Sequence, residues 1–351
     1  MKTAVIILNW NGIDLLKKFL KDVNDKSRAV SELWLADNGS TDGSLEWIKS
    51  TFPDIRIFES GQNLGYAGGY NAALEHIDAE LYVLLNSDVE VTENWLTPII
   101  EAFKGDEALA ACQPAILSYN NKEFFEHAGA AGGFIDRYGY PFCRGRLFDY
   151  CEKDEGQYND SAEIFWASGA CLAIRAGAWK KSGGFDADFF AHMEEVDLCW
   201  RLQNMGYTIK AIPDSKVYHV GGGTLPYSSP AKIYYNFRNS LYMLHKNLPG
   251  KGFLFNILKR LFLDGLAAAR FLLSLKLKAF WQVLRSHIAY YGNIGKLKQK
   301  RKAADNKIEP SSHKSILNRS VALEYYIRKK KKFSSIYTAE TASSSDVNLP
   351  L

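Results

Sequence analysis

The sequence predicts an α/β protein with a mainly parallel, doubly wound central sheet and helices on both faces. The continuous apolar run at residues 4–8 is typical of a strand buried on both faces, and further runs that predict strands lie at 32–36 and 81–85. Each run ends in a polar or glycine-containing loop. Helical segments alternate with the strands, and in such sheets ligands bind at the carboxyl ends of the strands.

The elements follow one another along the chain. Strands are predicted at 4–8, 32–36, 55–59 and 81–85, and helices at 14–23, 44–50 and 70–77. The pattern then loosens, with strands predicted at 110–117 and 170–174 around a segment rich in glycine and aromatic residues, 129–150. We expect this region to be a mixed-sheet half of the same domain. The later predicted elements are a helix at 195–205, a strand at 208–212, a helix at 231–246, and one or two helices up to about residue 291.

Charge divides the chain into an acidic body and a basic tail. The 351 residues are 47% hydrophobic and 23% charged, which excludes wholesale disorder and collagen-like repeats. Residues 1–250 carry 23 Lys and Arg against 33 Asp and Glu, and residues 251–351 carry 20 against 6. The acidic body argues against a nucleic-acid partner. We predict a main domain at 1–250, a basic amphipathic helical extension at 251–295, and a basic, partly disordered tail at 296–351.

Cysteine use and hydropathy predict the compartment. Five cysteines without a C-x-x-C spacing do not suggest a disulfide framework, so a reducing, cytoplasmic location is expected. The apolar run at the amino terminus is too short for a signal peptide. Charged residues also interrupt every apolar stretch of the length that a membrane-spanning helix needs, about 18 residues.

Three polar motifs follow predicted strands, and each admits a structural or a functional interpretation. The loop 37–43 is either a turn with a helix cap or part of a ligand site. The loop 63–71 is rich in glycine but is neither a dinucleotide fingerprint nor a Walker A motif. Asp88, just past the strand at 81–85, is suited to binding a hard divalent cation together with substrate phosphates, or it belongs to a solvated turn.

A second group of acids lies at the start of the predicted helix 195–205. Glu194, Glu195 and Asp197 are either an acidic first turn favoured by the helix dipole or the location of a general base. Arg201 is expected to pair with an acid of the same helix. His219 precedes a run of glycines, and on its own it is best interpreted as a structural histidine.

Several motifs together resemble the family 2 glycosyltransferases, and most closely the branch that includes bacterial rhamnosyltransferases. They occur in the expected order between residues 2 and 249: VIILNWNG, ADNGSTDGS, NLGYAGGYN, LLNSD, ASGACLAIR, GGFDADFF and EEVDLCWR. The resemblance implies the GT-A fold for a catalytic domain at 1–250. It also implies transfer of a sugar, with inversion, from a nucleoside diphosphate donor in the presence of Mg²⁺ or Mn²⁺.

The resemblance assigns roles to individual residues on the donor side. Asn9 and Asp37 would border the nucleoside. The residues expected along the rest of the donor are Asn63, Gly65, Asn71 and Asn86. Asn86 and Asp88 occupy the ends of the family's D-x-D motif; since the first acid is replaced by Asn86, Asp88 would be the main metal carboxylate. His219 would be a metal or diphosphate ligand.

The resemblance also assigns roles on the acceptor side. Trp166, Ser168 and Gly169 would line the acceptor site. Glu194 and Glu195 match the family's E-D motif, whose second acid is the catalytic base. Glu195 replaces the usual aspartate there, so Glu194 and Asp197 remain alternatives, and Asp197 is otherwise expected to contact substrate.

The tail predicts a membrane contact. On a helix, basic residues fall within an arc of about 100° and apolar residues cover much of the rest, although Lys276 breaks the pattern. The residues of that arc are Lys259, Arg260, Arg270, Lys278 and Arg285. Such a helix either binds the anionic inner face of the cytoplasmic membrane or packs on the catalytic domain.

The sequence therefore favours a glycosyltransferase of cell-surface polysaccharide synthesis. Its donor would be dTDP-rhamnose or a UDP-sugar, and its acceptor a glycan or a polyprenyl-linked glycan. One alternative is a nucleotidyltransferase similar to the sugar-nucleotide pyrophosphorylases, but the first strand lacks a glycine-rich loop bearing Arg and Lys. Another is an inactive sugar-nucleotide-binding subunit, and the presence of Asp88, Glu195 and His219 argues against it.

Overall fold

The computed structural model describes residues 1–221, 229–248, 250, 252–304 and 315–337. Its strands are β1 (Thr3–Asn9), β2 (Glu32–Asp37), β3 (Arg56–Glu59), β4 (Leu81–Asn86), β5 (Val89–Val91), β6 (Leu109–Ser118), β7 (Gly133–Asp136), β8 (Pro141–Cys143), β9 (Arg146–Leu147), β10 (Tyr150–Cys151), β11 (Ala162–Glu163), β12 (Cys171–Arg175), β13 (Thr208–His219) and β14 (Ile316–Leu317). Its α-helices are α1 (Ile13–Ser27), α2 (Ser44–Thr51), α3 (Gly65–Leu74), α4 (Leu96–Gly105), α5 (Ala176–Ser182), α6 (Glu194–Asn204), α7 (Pro230–Asn247), α8 (Phe253–Leu273) and α9 (Leu277–Ala304). Short helical turns cover Ala187–Phe189, Leu323–Ile327 and Phe333–Ser335.

A central sheet of nine strands organises the molecule. Its order is β11-β13-β6-β12-β4-β1-β2-β3, with β5 paired to β13. The four strands β1 to β4 run parallel, β13 runs parallel to β6, and β12 is antiparallel to both its neighbours. The predicted α/β fold class is confirmed. The parallel strands place the carboxyl ends of β1, β2 and β4 at one edge of the sheet.

Helices cover both faces of the sheet. Because side chains alternate along a strand, one strand contributes apolar residues to both faces. On β1, Ala4 and Ile6 belong to one apolar cluster, and Val5 and Ile7 belong to the other. Helices α1, α2 and α4 cover the second face, and α3, α5 and α6 pack on the first. This double burial explains why β1 is a continuous apolar run.

A second, smaller sheet forms beside the central one, in the order β10-β9-β8-β7-β14. We expected the segment 129–150 in the mixed half of the central sheet, but it contributes most of this separate sheet. Strand β14 pairs with β7, and the ring of Phe333 stacks with that of Tyr337 against Phe134. Part of the predicted tail, residues 315–337, therefore packs on the body, while residues 338–351 lie outside the described part.

Three longer helices, α7 to α9, precede β14 in the chain. Helix α9 packs along α7, where the His245 imidazole lies 2.9 Å from the hydroxyl of Tyr290. Helix α9 continues to residue 304 and so crosses the boundary predicted at 295. No helix in the described part of the chain is both long enough and apolar enough to cross a bilayer.

An ordinary surface helix turns its apolar side to the protein. Helix α8 does the opposite, because it buries polar residues and exposes leucines. Asn256, Arg260 and Asp264 are buried, and Arg260 Nε donates to Asp264 Oδ1 at 2.8 Å. Arg260, predicted on the basic arc, is therefore an internal residue. The exposed apolar residues of α8 and α9 are Leu254, Phe255, Leu258, Phe262, Leu266, Leu272, Leu273, Leu277, Trp281, Leu284, Ile288 and Tyr291. We call these residues the apolar hairpin face.

Candidate active site

A cavity of about 810 Å³ opens at the carboxyl edge of the central sheet. Its wall combines residues from the loops after β1, β2 and β4 with residues from the second sheet, α6 and α7. The predicted site residues that line it are Asn63, Gly65, Asn86, Asp88, Trp166, Ser168, Gly169, Glu194, Glu195 and His219. The predicted residues outside its wall are Asn9, Asp37, Asn71 and Asp197.

Asn9 and Asp37 are brought together, as neighbouring positions at the ends of β1 and β2. Asn9 Nδ2 lies 3.3 Å from Asp37 Oδ1 and also donates to the hydroxyls of Ser40 and Ser44. Asp37 Oδ2 accepts the backbone N–H of Ser40 at 3.0 Å. Both side chains are buried, so in this structure they shape the loop 37–43, while Trp10 lies on the cavity wall.

The glycine-rich loop begins a helix earlier than predicted, at Gly65 rather than residue 70. Asn63 Oδ1 accepts the N–H of Gly65 at 2.8 Å, and Gly65 has φ +73°. A Cβ at Gly65 would lie 2.5 Å from the ring of Phe190, so a larger residue would push that ring away. Asn71 bonds the backbone N–H and C=O of Phe185. This loop therefore supports the segment that precedes α6.

His219 lies between two carboxylates. Its Nε2 is 3.1 Å from Asp88 Oδ1, and its Nδ1 is 3.1 Å from Glu126 Oε2. Burial acts to lower the pKa of His219, but the hydrogen bonds to Asp88 and Glu126 outweigh it and raise this pKa to about 10. Asn86 completes the group, with Nδ2 3.5 Å from His219 Nε2. Strand β13 reaches this site because it continues to His219, beyond the predicted end at 212.

Asp88 and His219 fit a divalent cation. Two adjacent ligands of an octahedral Mg²⁺ at 2.0–2.1 Å lie about 3 Å apart, which is the separation of Asp88 Oδ1 and His219 Nε2. A histidine that binds a metal is commonly oriented by a carboxylate on its other ring nitrogen. Glu126 occupies that place at Nδ1 of His219. Within the described residues, no group of three His, Cys, Asp or Glu side chains is arranged to hold a metal. Such ions usually take one or two carboxylates together with waters and substrate phosphates.

Glu194 and Glu195 begin helix α6 on the cavity wall. Glu194 is buried, and the Oε2 atoms of both residues are shielded from solvent without a hydrogen-bond partner. Burial raises the pKa of Glu195 to about 7. Burial and the neighbouring charge of Glu195 raise the pKa of Glu194 well above its usual value. Because the charge of Glu195 acts on Glu194, ionisation of one carboxyl group disfavours ionisation of the other.

The segment before α6 has an unusual backbone held by α7. Phe190, His192 and Met193 have φ of 63°, 69° and 73°, a region that costs about 1–3 kcal/mol per residue unless the surroundings enforce it. Asn239 Nδ2 donates to the carbonyls of Phe189, Ala191 and His192 at 3.0, 2.9 and 2.7 Å. The amide of Asn239 therefore fixes the backbone that leads into Glu194.

Ion pairs tie the same region to α7 and α9. Lys300 Nζ pairs with both Asp186 and Asp188, and Lys246 Nζ lies 2.6 Å from Asp186 and 2.9 Å from Asp197. Burial acts to raise the pKa of Asp186, but Lys246 and Lys300 hold it well below its usual range. Helix α9 thus takes part in positioning the segment before α6.

Asp197 belongs to this ion-pair cluster and not to the cavity. It is fully buried, and Arg201 Nε donates to its Oδ2 at 2.9 Å, which confirms the predicted pairing of Arg201 within α6. Asn247 donates to its Oδ1 at 2.8 Å. Because these partners and Lys246 occupy its carboxylate, Asp197 is placed to support α6 and not to contact substrate or act as a base.

The predicted acceptor-side residues form another stretch of the wall. Trp166 Nε1 donates to the carbonyl of Phe134 at 2.9 Å, which anchors the indole against the second sheet. Ser168 Oγ donates to the carbonyl of Ala128. The carbonyl of Gly169 accepts the hydroxyl of Tyr66 at 2.6 Å. These contacts fix the segment 166–170, which leads into β12, on the cavity wall.

Comparison with known proteins assigns the chain to a family. The sequence profile of Glycosyl transferase family 2 matches residues 4–181, about half of the chain. The chain belongs to glycosyltransferase family 2. The resemblance noted in the sequence is confirmed, and the chain is a glycosyltransferase that uses a nucleotide sugar.

Relatives in this family include rhamnosyltransferases. The N-acetylglucosaminyl-diphospho-decaprenol L-rhamnosyltransferase of Mycobacterium tuberculosis is 26% identical over 229 residues, which cover 61% of this chain and 75% of that protein. The dTDP-rhamnosyl transferase RfbF of Shigella flexneri is 30% identical over 137 residues, 35% of this chain and 46% of that protein.

A solved structure shares the GT-A fold. GalNAc-T7, determined with UDP, GalNAc and Mn²⁺, superposes with a TM-score of 0.61 at 17% identity. The match covers 88% of this chain, which spans 55% of the length of that chain.

Two positioning residues escaped the sequence analysis of this glycosyltransferase. Glu126 follows β6 in the region where the pattern loosens, and Asn239 lies inside a helix predicted only for its packing. Their partners are distant in sequence, so no local motif marks either residue. The one available signal for Glu126 is that a histidine ligand usually needs a second polar partner.

Proposed function

We propose that the chain is an inverting, metal-dependent glycosyltransferase of cell-surface polysaccharide synthesis. It transfers a sugar from dTDP-rhamnose or a UDP-sugar to a glycan or a polyprenyl-linked acceptor. The names of the Mycobacterium and Shigella relatives support rhamnose as the sugar, and the former supports a lipid diphosphate acceptor. The observation that carries the proposal is the Glu195 carboxyl group on the cavity wall, whose Oε2 has no hydrogen-bond partner and whose pKa is raised to about 7.

The residues suit a direct displacement. The acceptor hydroxyl attacks the anomeric carbon, its proton passes to the Glu195 carboxylate, and the bond from that carbon to the nucleoside diphosphate breaks. A general base with a pKa near the working pH contributes about 10²–10⁴-fold. Attack on the face opposite the leaving group inverts the anomeric centre. The segment held by Asn239 and the ion pairs of Lys300 position the base before the substrate arrives.

Asp88 and His219 would hold Mg²⁺ or Mn²⁺, with Glu126 orienting the imidazole. A bound cation supplies charge neutralisation for the departing diphosphate. The separation of the two donor atoms and the carboxylate on Nδ1 support this assignment. Since His219 is positively charged between its carboxylates at neutral pH, metal binding at Nε2 would release a proton.

The apolar hairpin face supports attachment to the inner face of the cytoplasmic membrane. Large apolar side chains are exposed along both helices, with Phe262 66% exposed. Exposed Arg270, Lys276, Lys278 and Arg285 lie on the same hairpin. Helices of this kind lie in the interface of a membrane and bind anionic lipid through their basic residues. A lipid-linked acceptor would reach the enzyme at that surface.

The direct test is a donor screen on the full chain. Release of nucleoside diphosphate from UDP-, GDP- and dTDP-sugars is followed with Mn²⁺ or with EDTA, in the presence of a lipid-linked glycan. Release from one donor that EDTA abolishes, together with a glycosylated product, is the expected result. Equal release with and without EDTA would refute the metal assignment. Donor binding without release would favour an inactive sugar-nucleotide-binding subunit.

A further inference from the structure

Arg146 is a buried cation on the wall of the cavity. Its side chain is 8% exposed, and Nη2 donates to the Cys143 sulfur at 3.3 Å. Nε has no hydrogen-bond partner, and among the described residues the guanidinium forms no salt bridge, although the negative charge of Glu126 acts on it. Buried arginines are normally paired with an anion, because removing the charge from water is costly. The position of Arg146 therefore suits an anionic ligand in the cavity.

A second cation faces the same region. Lys232, in the first turn of α7, and His127 also line the cavity. Burial lowers the pKa of Lys232, Glu126 acts to raise it, and the positive charge of Arg146 lowers it further. Burial and the charge of Arg146 lower the pKa of His127 to about 3. Arg146 and Lys232 both line the cavity, so an anionic ligand there would meet two cations.

Arg146 and Lys232 belong to other elements than the cavity residues expected on the donor side. Trp10, Asn38 and Asn63 follow strands β1 to β3. Arg146 lies instead on β9 of the second sheet, and Lys232 lies on α7.

Helix α8 contributes both to the cavity and to the apolar hairpin face. Arg260 on α8 lines the cavity, while Leu258 and Phe262 of the same helix are exposed. A ligand with a lipid chain on the hairpin face and an anionic group in the cavity would therefore contact α8.

We propose that Arg146 and Lys232 form a phosphate-binding site for the acceptor, separate from the Asp88 and His219 pair assigned to the donor. The ligand is a glycan joined to a lipid through phosphate or diphosphate. Arg146 binds the phosphate oxygens through its guanidinium, and Lys232 adds a second charge-assisted hydrogen bond. This inference rests on the proposed function, since it assumes an acceptor that carries phosphate.

Farnesyl diphosphate is a suitable probe, because it carries the lipid and diphosphate without a particular glycan. Its binding to the full chain is measured by calorimetric titration with Mn²⁺ and saturating UDP and dTDP, which occupy the donor site. We expect binding under these conditions and none of farnesol. Arg146→Met should weaken it by about 10–100-fold, the loss of one strong charge-assisted contact. Lys17→Met, at an exposed lysine on α1, should leave it unchanged.

Three outcomes would overturn the proposal: displacement of farnesyl diphosphate by the nucleotides, equal binding of farnesol, or unchanged binding by Arg146→Met. Thermal melting checks that each variant folds. If Arg146→Met does not fold, Lys232→Met provides the same test of farnesyl diphosphate binding. The donor screen separates this inference from the proposed function. Sugar transfer that survives while farnesyl diphosphate fails to bind would refute the phosphate site alone. If the unaltered chain transfers no sugar to any lipid-linked glycan, the proposed function is refuted.

Discussion

The rate of sugar transfer should rise with pH, reach half its maximum near pH 7 and level off by about pH 8, because Glu195 must be ionised to accept a proton. Burial raises its pKa from 4.5 to about 7. The ionised fraction falls to about one tenth at pH 6 and about one hundredth at pH 5, since each pH unit below the pKa is a factor of ten. Activity should therefore decline about tenfold per unit on the acid side.

Two glutamine variants test the assignment of this acid limb. Glu195→Gln should lose about 10²–10⁴-fold in kcat, and its remaining activity should lose the inflection near pH 7. Glu194→Gln is the matched control. With Glu195 as the base, an uncharged amide at Glu194 should preserve the inflection, because the group that titrates is still present. Both variants keep nearly the same side-chain volume, so packing is little changed.

The assay follows product formation between pH 5 and pH 9 with donor and acceptor saturating, and titration of the donor at each pH separates binding from catalysis. An inflection below about pH 5.5 in the unaltered enzyme would contradict the effect of burial. An acid limb that persists in Glu195→Gln but disappears in Glu194→Gln would show that Glu194, and not Glu195, is the base.

Three further predictions concern other parts of the enzyme. Glu126→Gln should raise the Mn²⁺ concentration needed for half-maximal activity by about 10–100-fold, the usual cost of losing an outer carboxylate; an unchanged Mn²⁺ titration would refute its role beside His219. Asn239→Ala should lower the free energy of unfolding by about 1–3 kcal/mol, since buried carbonyls lose their donor, and should lower kcat with little change in donor KM; denaturant unfolding and steady-state kinetics measure both, and an unchanged kcat would exclude the positioning role. Replacing Phe262 and Leu266 by serine should reduce flotation with vesicles containing phosphatidylglycerol while melting stays the same, because each side chain contributes about 1.5–3 kcal/mol when buried in an apolar phase; equal flotation would refute contact through the hairpin face.

The sequence predicts the central sheet well because strands β1 and β4 are buried on both faces and appear as continuous apolar runs. The second sheet has no comparable signal. Strands β9 and β10 are two residues long, and β14 joins β7 from near the far end of the chain. Periodicity in a short window cannot report such pairing.

For the candidate site, the sequence predicts the residues that follow strands and fails for those that act through long-range contacts. Asp88 and Glu195 lie on the cavity wall as expected because each is next to a regular element. Asp197 is only two residues from Glu195, but the turn of the helix directs it toward Lys246 and Asn247. Helix α8 was predicted to be amphipathic, but local pattern does not reveal that its polar side faces the protein.

The ion pairs of Lys300 can form only late in the synthesis of the chain. Asp186 and Asp188 leave the ribosome long before Lys300, and the segment between them and Glu194 obtains its last ionic partners only when α9 has been synthesised. By that time α8 and the start of α9, with the exposed leucines, have also been made. A nascent chain thus acquires its finished catalytic centre only after the part that carries the apolar hairpin face.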